Sequence, residues 1–224
     1  SAEVYDPGSD TWIPKGSMAG GRQRHTAVRL GDGRVMVAGG DDDSNVIKTV
    51  EIYDLSTGQW STTGNMSVAR RSFTLTVFGG GRVLAAGGQW TDAPMSCWAS
   101  GEVYNPLTLA WSGVGDMSTK RCGHTATPLS DGEVLLAGGD FQYNWGSSTN
   151  VAKSAEIFEQ SPPGGPCALT AECLSGVCAS DGTCCDATCT SACMACTSAK
   201  TGAADGVCAP ILSGTDPDGE CPNL

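Results

Sequence analysis

The sequence predicts an all-β chain: a run of repeated four-stranded antiparallel sheets, followed by a loop-dominated, disulfide-rich segment. Three observations carry this. First, a Trp is followed 27 residues later by the first Gly of a Gly-Gly pair in three places, Trp12 to Gly39, Trp60 to Gly87 and Trp111 to Gly138. Second, other positions keep that spacing. A Glu stands nine residues before each Trp (Glu3, Glu51, Glu102), a Met six after it (Met18, Met66, Met117) and an Arg four beyond the Met (Arg22, Arg70, Arg121). Agreement of this kind at a period near 50 residues marks stacked units that bury their faces on one another. Third, residues 161–224 hold ten of the twelve cysteines and no Phe, Trp or Tyr.

The unit at residues 22–64 illustrates the elements in order. His25 to Leu30 alternates and reads as a first strand, and Arg34 to Ala38 is a short apolar run closed by Gly39-Gly40. Thr49 to Tyr53, rich in β-branched and aromatic residues, reads as a third strand. After the turn Asp54 to Gly58, Gln59-Trp60 opens a fourth. Ser1 to Gly16 supplies the last two strands of a preceding unit, residues 70–115 a second full unit, and residues 121–159 three strands of another, beginning its third at AEIFEQ from Ala155. That makes about thirteen strands, and residues 1–160 carry no helical apolar period or helix caps.

These residues resemble the kelch family of β-propellers, in the Gly-Gly pairs at 39, 87 and 138, the tyrosines at 5, 53 and 104 and the tryptophans at 12, 60 and 111. The resemblance covers residues 1–160. It implies four-stranded blades in which each Gly-Gly closes the second strand, the Tyr lies in the third, and the Trp packs between blades from the fourth. Propellers typically close with four to eight blades, so the ring read here is incomplete. The expectation is a piece of a longer polypeptide, since Ser1 enters directly into a strand, or a second chain that supplies the remaining blades.

Ser161 to Pro166 (SPPGGP) reads as a linker, and 167–224 as a separate Cys-rich module. With so little apolar side chain it cannot offset the entropy of ordering by burial, so it must be cross-linked, metal-bound or disordered. Disulfides are the preferred reading for Cys167, Cys173, Cys178, Cys184, Cys185, Cys189, Cys193, Cys196, Cys208 and Cys221, and they point to an oxidising compartment. Zinc competes only through Cys193-Met-Ala-Cys196, and the tail has no His. Connectivity is not readable from spacing. The stretch CCDATCTSACMACTSAKTGAADGVCAP resembles Cys-rich modules of large secreted and surface proteins of myxobacteria, which implies export. In the blade reading, Cys97 lies in a second-to-third-strand loop and Cys122 leads into the next blade on the same face. A bridge stapling two blades is expected there, against the alternative of two buried thiols.

The net charge of −11 is spread over both parts: residues 1–160 carry 12 basic and 17 acidic side chains, the tail 1 and 7. Such a chain repels phosphate backbones, which excludes nucleic acid. No apolar run approaches the roughly 20 residues of a membrane span.

Catalysis finds no candidate residues. His25 and His124 occupy equivalent repeat positions where the middle copy has Phe73, a pattern of packing rather than proton transfer, and no nucleophile, zinc or phosphate-loop motif is present. The copper radical oxidases, which use similar propellers with two His, two Tyr and a Cys, are a remote alternative. Binding is better served. The loops at roughly 41–49, 89–100 and 140–154 share one face and carry Trp90, Trp98, Phe141, Tyr143 and Trp145. Aromatics on loops held by a rigid sheet recognise sugars and proteins. Arg22, Arg24, Arg70, Arg71, Lys120 and Arg121 precede the first strands and are expected to point to that face, with loops packing on each other as the structural alternative. Calcium is a minor candidate at Asp41-Asp42-Asp43 and at Asp216-Pro-Asp218-Gly; neither has full calcium-loop spacing, and no other cofactor or metal is expected. The function expected is an extracellular or cell-surface binding or structural protein that recognises a protein or glycan. The alternative is an assembly subunit whose open edge pairs with another chain.

Overall fold

The computed structural model describes residues 1–91, 97–130, 132–140, 151–160, 173, 184–185, 194–195 and 207–210. Among the described residues, thirteen strands lie in the repeat region. β1 (Ala2–Asp6) and β2 (Thr11–Lys15) form a hairpin. Blade one is β3 (Thr26–Arg29), β4 (Val35–Ala38), β5 (Val50–Asp54) and β6 (Gln59–Thr62), hydrogen-bonded in that order. Blade two is β7 (Thr74–Phe78), β8 (Arg82–Ala86), β9 (Gly101–Asn105) and β10 (Ala110–Val114). Blade three has β11 (Thr125–Pro128), β12 (Val134–Ala137) and β13 (Ala155–Phe158). Every pairing is antiparallel, and the only helical turn described is the 3-10 turn Gly79–Gly81. The sheets are open, as the repeat count anticipates.

The strand pleat assigns faces. Along β4 and β5, Met36, Ala38, Val50 and Ile52 turn toward blade two, where Phe73, Val83, Ala85 and Tyr104 meet them in one buried cluster. One repeat on, Leu84, Ala86 and Val103 meet Val134 and Leu136 of blade three in a second cluster, with Phe158 packed against it. The core of this protein is therefore the set of spaces between blades. Continuing the pattern, Ile157 occupies the position of Ile52 and Val103. Those two are 2 % exposed and Ile157 is 55 % exposed, because no described residue covers the far face of blade three.

The third and fourth strands of each blade are joined by one turn design. Asp54 Oδ1 accepts the amide of Ser56 at 2.7 Å, and the Gly58 amide closes on the Asp54 carbonyl at 2.8 Å with Gly58 at φ +69°. Asp6 and Asn105 repeat the side-chain contact with Gly8 and Leu107. This turn sets Tyr opposite Trp in register, Tyr5 with Trp12, Tyr53 with Trp60 and Tyr104 with Trp111, their rings 5.2–5.4 Å apart. Each later Trp also reaches back one blade: Trp60 Nε1 donates to the Gly16 carbonyl at 3.0 Å and Trp111 Nε1 to that of Gly64 at 2.9 Å. Trp12 has no such contact and is 64 % exposed.

In the C-terminal region Cys173 is bonded to Cys184, Cys185 and Cys208 are also disulfide-bonded, and none of the described cysteines is free. β14 (Met194–Ala195) pairs with β15 (Ala209–Pro210). Cys167, Cys178, Cys189, Cys193, Cys196 and Cys221 lie outside the described residues, as does the linker 161–166. Arg82, buried at the start of β8, donates to the Cys173 carbonyl at 2.5 Å, which ties this region to blade two.

Candidate functional site

The arginines expected at the binding face divide into two groups, and one group is corrected. Arg22, Arg70 and Arg121 lie inside their blades. Arg70, with its side chain fully buried, donates to the carbonyls of Gly87 and Ser100 at 2.7 and 2.9 Å and pairs with Glu102 at 3.1 Å. Arg121 does the same with Gly138, Ser154 and Glu156, and Arg22 with Gly39, Thr49 and Glu51. The reason is steric and electrostatic together. The Gly-Gly turn ends the second strand with carbonyls that lack ladder partners, and the repeated Glu on the third strand supplies the counter-charge that makes a buried guanidinium tolerable. Thus the Arg and Glu positions of the repeat form one internal ion-pair system, and these three guanidinium groups are engaged within their own blades.

Arg24 and Arg71 belong to the second group. Both reach Asp41, the residue after Gly39-Gly40: Arg71 Nη1 at 2.9 Å across the blade boundary and Arg24 Nη1 at 3.5 Å from the same blade. Backbone bridges hold this layer, Gln23 with Asp41 and Arg71 with Gln89. Asp41 is 4 % exposed, and its Oδ1 is buried with no hydrogen-bond partner. Here the segments 41–46 and 90–91 come together around a cleft of about 370 Å³ lined by Gln23, Arg24, Asp41, Asp43, Asn45, Arg71 and Trp90, among others.

Of the expected aromatics, Trp90 stands at the rim of this cleft, 51 % exposed. Trp98 lies behind it, ring centroids 6.0 Å apart, with its Nε1 donating to the Ala69 carbonyl at 3.3 Å and its amide to the Gly88 carbonyl at 2.7 Å. Trp98 is a support rather than a contact surface. Phe141, Tyr143 and Trp145 lie outside the described residues. Cys97 and Cys122 are joined, so the loop that follows Trp90 is stapled to the lead-in of blade three.

His124 is buried, its Nε2 3.0 Å from Thr74 Oγ1 across the blade boundary. Burial first, and the nearby Arg121 second, push its pKa down from 6.5 to about 4. His25, the equivalent in blade one, is exposed, since the two-stranded β1–β2 hairpin on that side has no counterpart of the first strand that carries Thr74. The Asp41-Asp42-Asp43 run divides its duties: Asp42 Oδ1 accepts the amides of Ser44 and Asn45 in a tight turn, and Asp43 accepts from Gln23. Among the described residues no group of three or more His, Cys, Asp or Glu side chains is arranged to hold a metal; the Asp216–Asp218 turn lies outside them.

Sequence reasoning weighed Asp41 only as part of a minor calcium candidate, and did not single out Gln23 or Asn45. The available signal was positional: the residue after each Gly-Gly pair is Asp41, Gln89 or Asp140, polar each time. In comparison with family models, residues 24–67, which span blade one, match the Kelch motif. A search of curated proteins returns no match to the chain.

Proposed function

We propose that this chain is a non-catalytic recognition module that works outside the cell or at its surface, binding a protein or glycan through the face built by loops 41–49 and 89–100. The observation that carries this is Trp90, a half-exposed indole at the mouth of a polar cleft. Its loop is anchored by the Cys97–Cys122 bond and by Trp98, so the ring is presented rather than loose. The Kelch match supports a protein-interaction scaffold, the disulfides are compatible with an oxidising, extracellular setting, and no described helix is long and apolar enough to cross a membrane. Against a copper oxidase stands the separation of the histidines onto blades one and three, with His124 engaged by Thr74. The test is capture of surface extract and arrayed glycans by wild type and Trp90→Ala. Loss of a captured species with the variant supports the reading, and identical profiles sink it.

A second reading is favoured by Ile157. The uncovered face of blade three and the edge of β13 together offer an apolar surface and a row of backbone groups suited to another sheet. On this reading the chain assembles through that face, with another chain or another copy. Light scattering across concentration, with Ile157→Asp as control, decides for self-association: a monomer at every concentration removes it.

A further inference from the structure

We propose that the cleft between blades one and two is a binding site for one neutral sugar residue, with Trp90 stacking on its ring and Asp41 accepting a hydroxyl proton. This rests on the recognition reading above and narrows it to a ligand class and a set of atoms.

The argument begins with Asp41. A carboxylate held 96 % out of solvent is tolerated when both oxygens are bonded. Oδ2 is bonded, to Arg71 and Arg24. Oδ1 is not, although the residue lines an open cleft of a size that suits a small ligand. A hydroxyl donor from a ligand that enters the cleft and parts its wall over Oδ1 supplies the missing bond, while the arginines hold the carboxylate through its other oxygen.

Charge then selects among donors. Among the described residues the cleft carries two carboxylates, Asp41 and Asp43, and two guanidinium groups, Arg24 and Arg71. An anion would compete with Asp41 for the arginines, and a cation would sit against them. A neutral polyhydroxyl compound meets neither penalty, and finds further polar partners in Gln23 and Asn45. The lining argues against a hydrophobic peptide side chain as the buried group, since Val46 and Trp90 are its only large apolar members among the described residues. Trp90 supplies the one flat apolar surface, at the rim, where the C–H face of a pyranose can lie on the indole while its hydroxyls point to the polar wall. An amphipathic ring with hydroxyls on its edge is the ligand that uses both features.

The test is saturation-transfer NMR followed by titration calorimetry, with glucose, galactose, mannose, xylose and N-acetylglucosamine, and with glucuronate and glucosamine as charged counterparts. The expected result is binding of at least one neutral sugar, weakened about tenfold or more by Trp90→Ala and by Asp41→Asn, with the charged counterparts weaker than their neutral parent. Trp90→Ala alters an exposed ring and keeps the test valid where Asp41→Asn loosens the fold. The proposal is overturned if no neutral sugar binds, if a charged counterpart binds more tightly, or if the folded variants bind like wild type. Should sugars fail while Trp90-dependent capture of another species persists, the sugar assignment alone falls. Should both fail, the recognition reading falls with it.

Discussion

The amide of Gly40 donates to the carbonyl of Arg70 at 2.8 Å, across the boundary between blades one and two. The side chain of Arg70 meanwhile faces inward and bonds the carbonyl of Gly87, the Gly-Gly pair of its own blade. The relationship recurs one blade on, where Gly88 donates to the Arg121 carbonyl at 2.8 Å and Arg121 reaches Gly138. The Gly-Gly turns of blades one and two are thus held from within by their own arginine and from outside by the next. The result is a chain of contacts that transmits blade spacing along the protein.

This arrangement makes equivalent glycines unequal. A Cβ on Gly87, at φ +61°, would lie 2.3 Å from the Arg121 carbonyl, whereas on Gly138, at φ +69°, its nearest neighbour among the described residues is 3.9 Å away. Gly138→Ala is expected to cost only the left-handed backbone penalty of about 1–2 kcal/mol. Gly87→Ala adds a backbone clash and should cost roughly 3 kcal/mol or more. Urea unfolding of both variants checks this, and equal losses would refute the blade-boundary account.

Arg70 and Glu102 form a buried pair whose members depend on each other. Breaking it with Arg70→Met should destabilise by about 3–5 kcal/mol, because a carboxylate is left without its counter-charge. Adding Glu102→Gln removes that charge and keeps an acceptor for the Ser67 amide. A double-mutant cycle should therefore show the second change recovering part of the first loss; strict additivity would contradict the pairing.

The Cys97–Cys122 bond closes a loop of 25 residues between two blades. Loop-closure entropy for that span predicts a loss of about 3 kcal/mol in the Cys97→Ser/Cys122→Ser protein. The readout is the urea midpoint against wild type. Intact mass with and without reductant must also show the bond, and a free thiol at either position would refute it.

His124 predicts an acid sensitivity with a definite sign. Its folded pKa of about 4 lies below the unfolded value of 6.5, so the unfolded chain binds the proton first. Stability is complete above pH 6.5 and falls as pH drops toward 4, by up to about 3 kcal/mol. Phe stands at this position in blade two, so His124→Phe should fold and lose most of that slope between pH 6.5 and 4. A residual loss at lower pH is expected from Glu156, where burial raises the pKa but hydrogen bonds from Arg121 and Ser118 outweigh it and hold the carboxyl low. Thermal unfolding across pH is the measurement.

Much of the architecture was legible because packing between identical units imposes identical residues. Gly is needed at φ positive against a neighbour's backbone, Trp and Tyr at one cross-strand pair, and an apolar run at each second strand, so the period appears in the letters themselves. The expected Cys97–Cys122 bridge followed from the same logic, since antiparallel strands dictate which loops share a face. The arginines were misread for a complementary reason. A charged residue beside a loop looks solvent-facing in one dimension, and its partner Glu lies about 30 residues away on another strand.

The repeat pattern in the chain was therefore sufficient for the all-β class, the strand order within each blade and the cross-strand aromatic pairs, all of which rest on local periodicity and turn chemistry. Folding in three dimensions was required to separate Arg22, Arg70 and Arg121, buried on Glu51, Glu102 and Glu156, from Arg24 and Arg71, drawn to Asp41 at a cleft. It also left Ile157 bare while burying Ile52 and Val103. The physical reason is the same in each case: whether a charge is paired and whether a face is covered depend on the neighbouring blade, which a repeated sequence position does not encode.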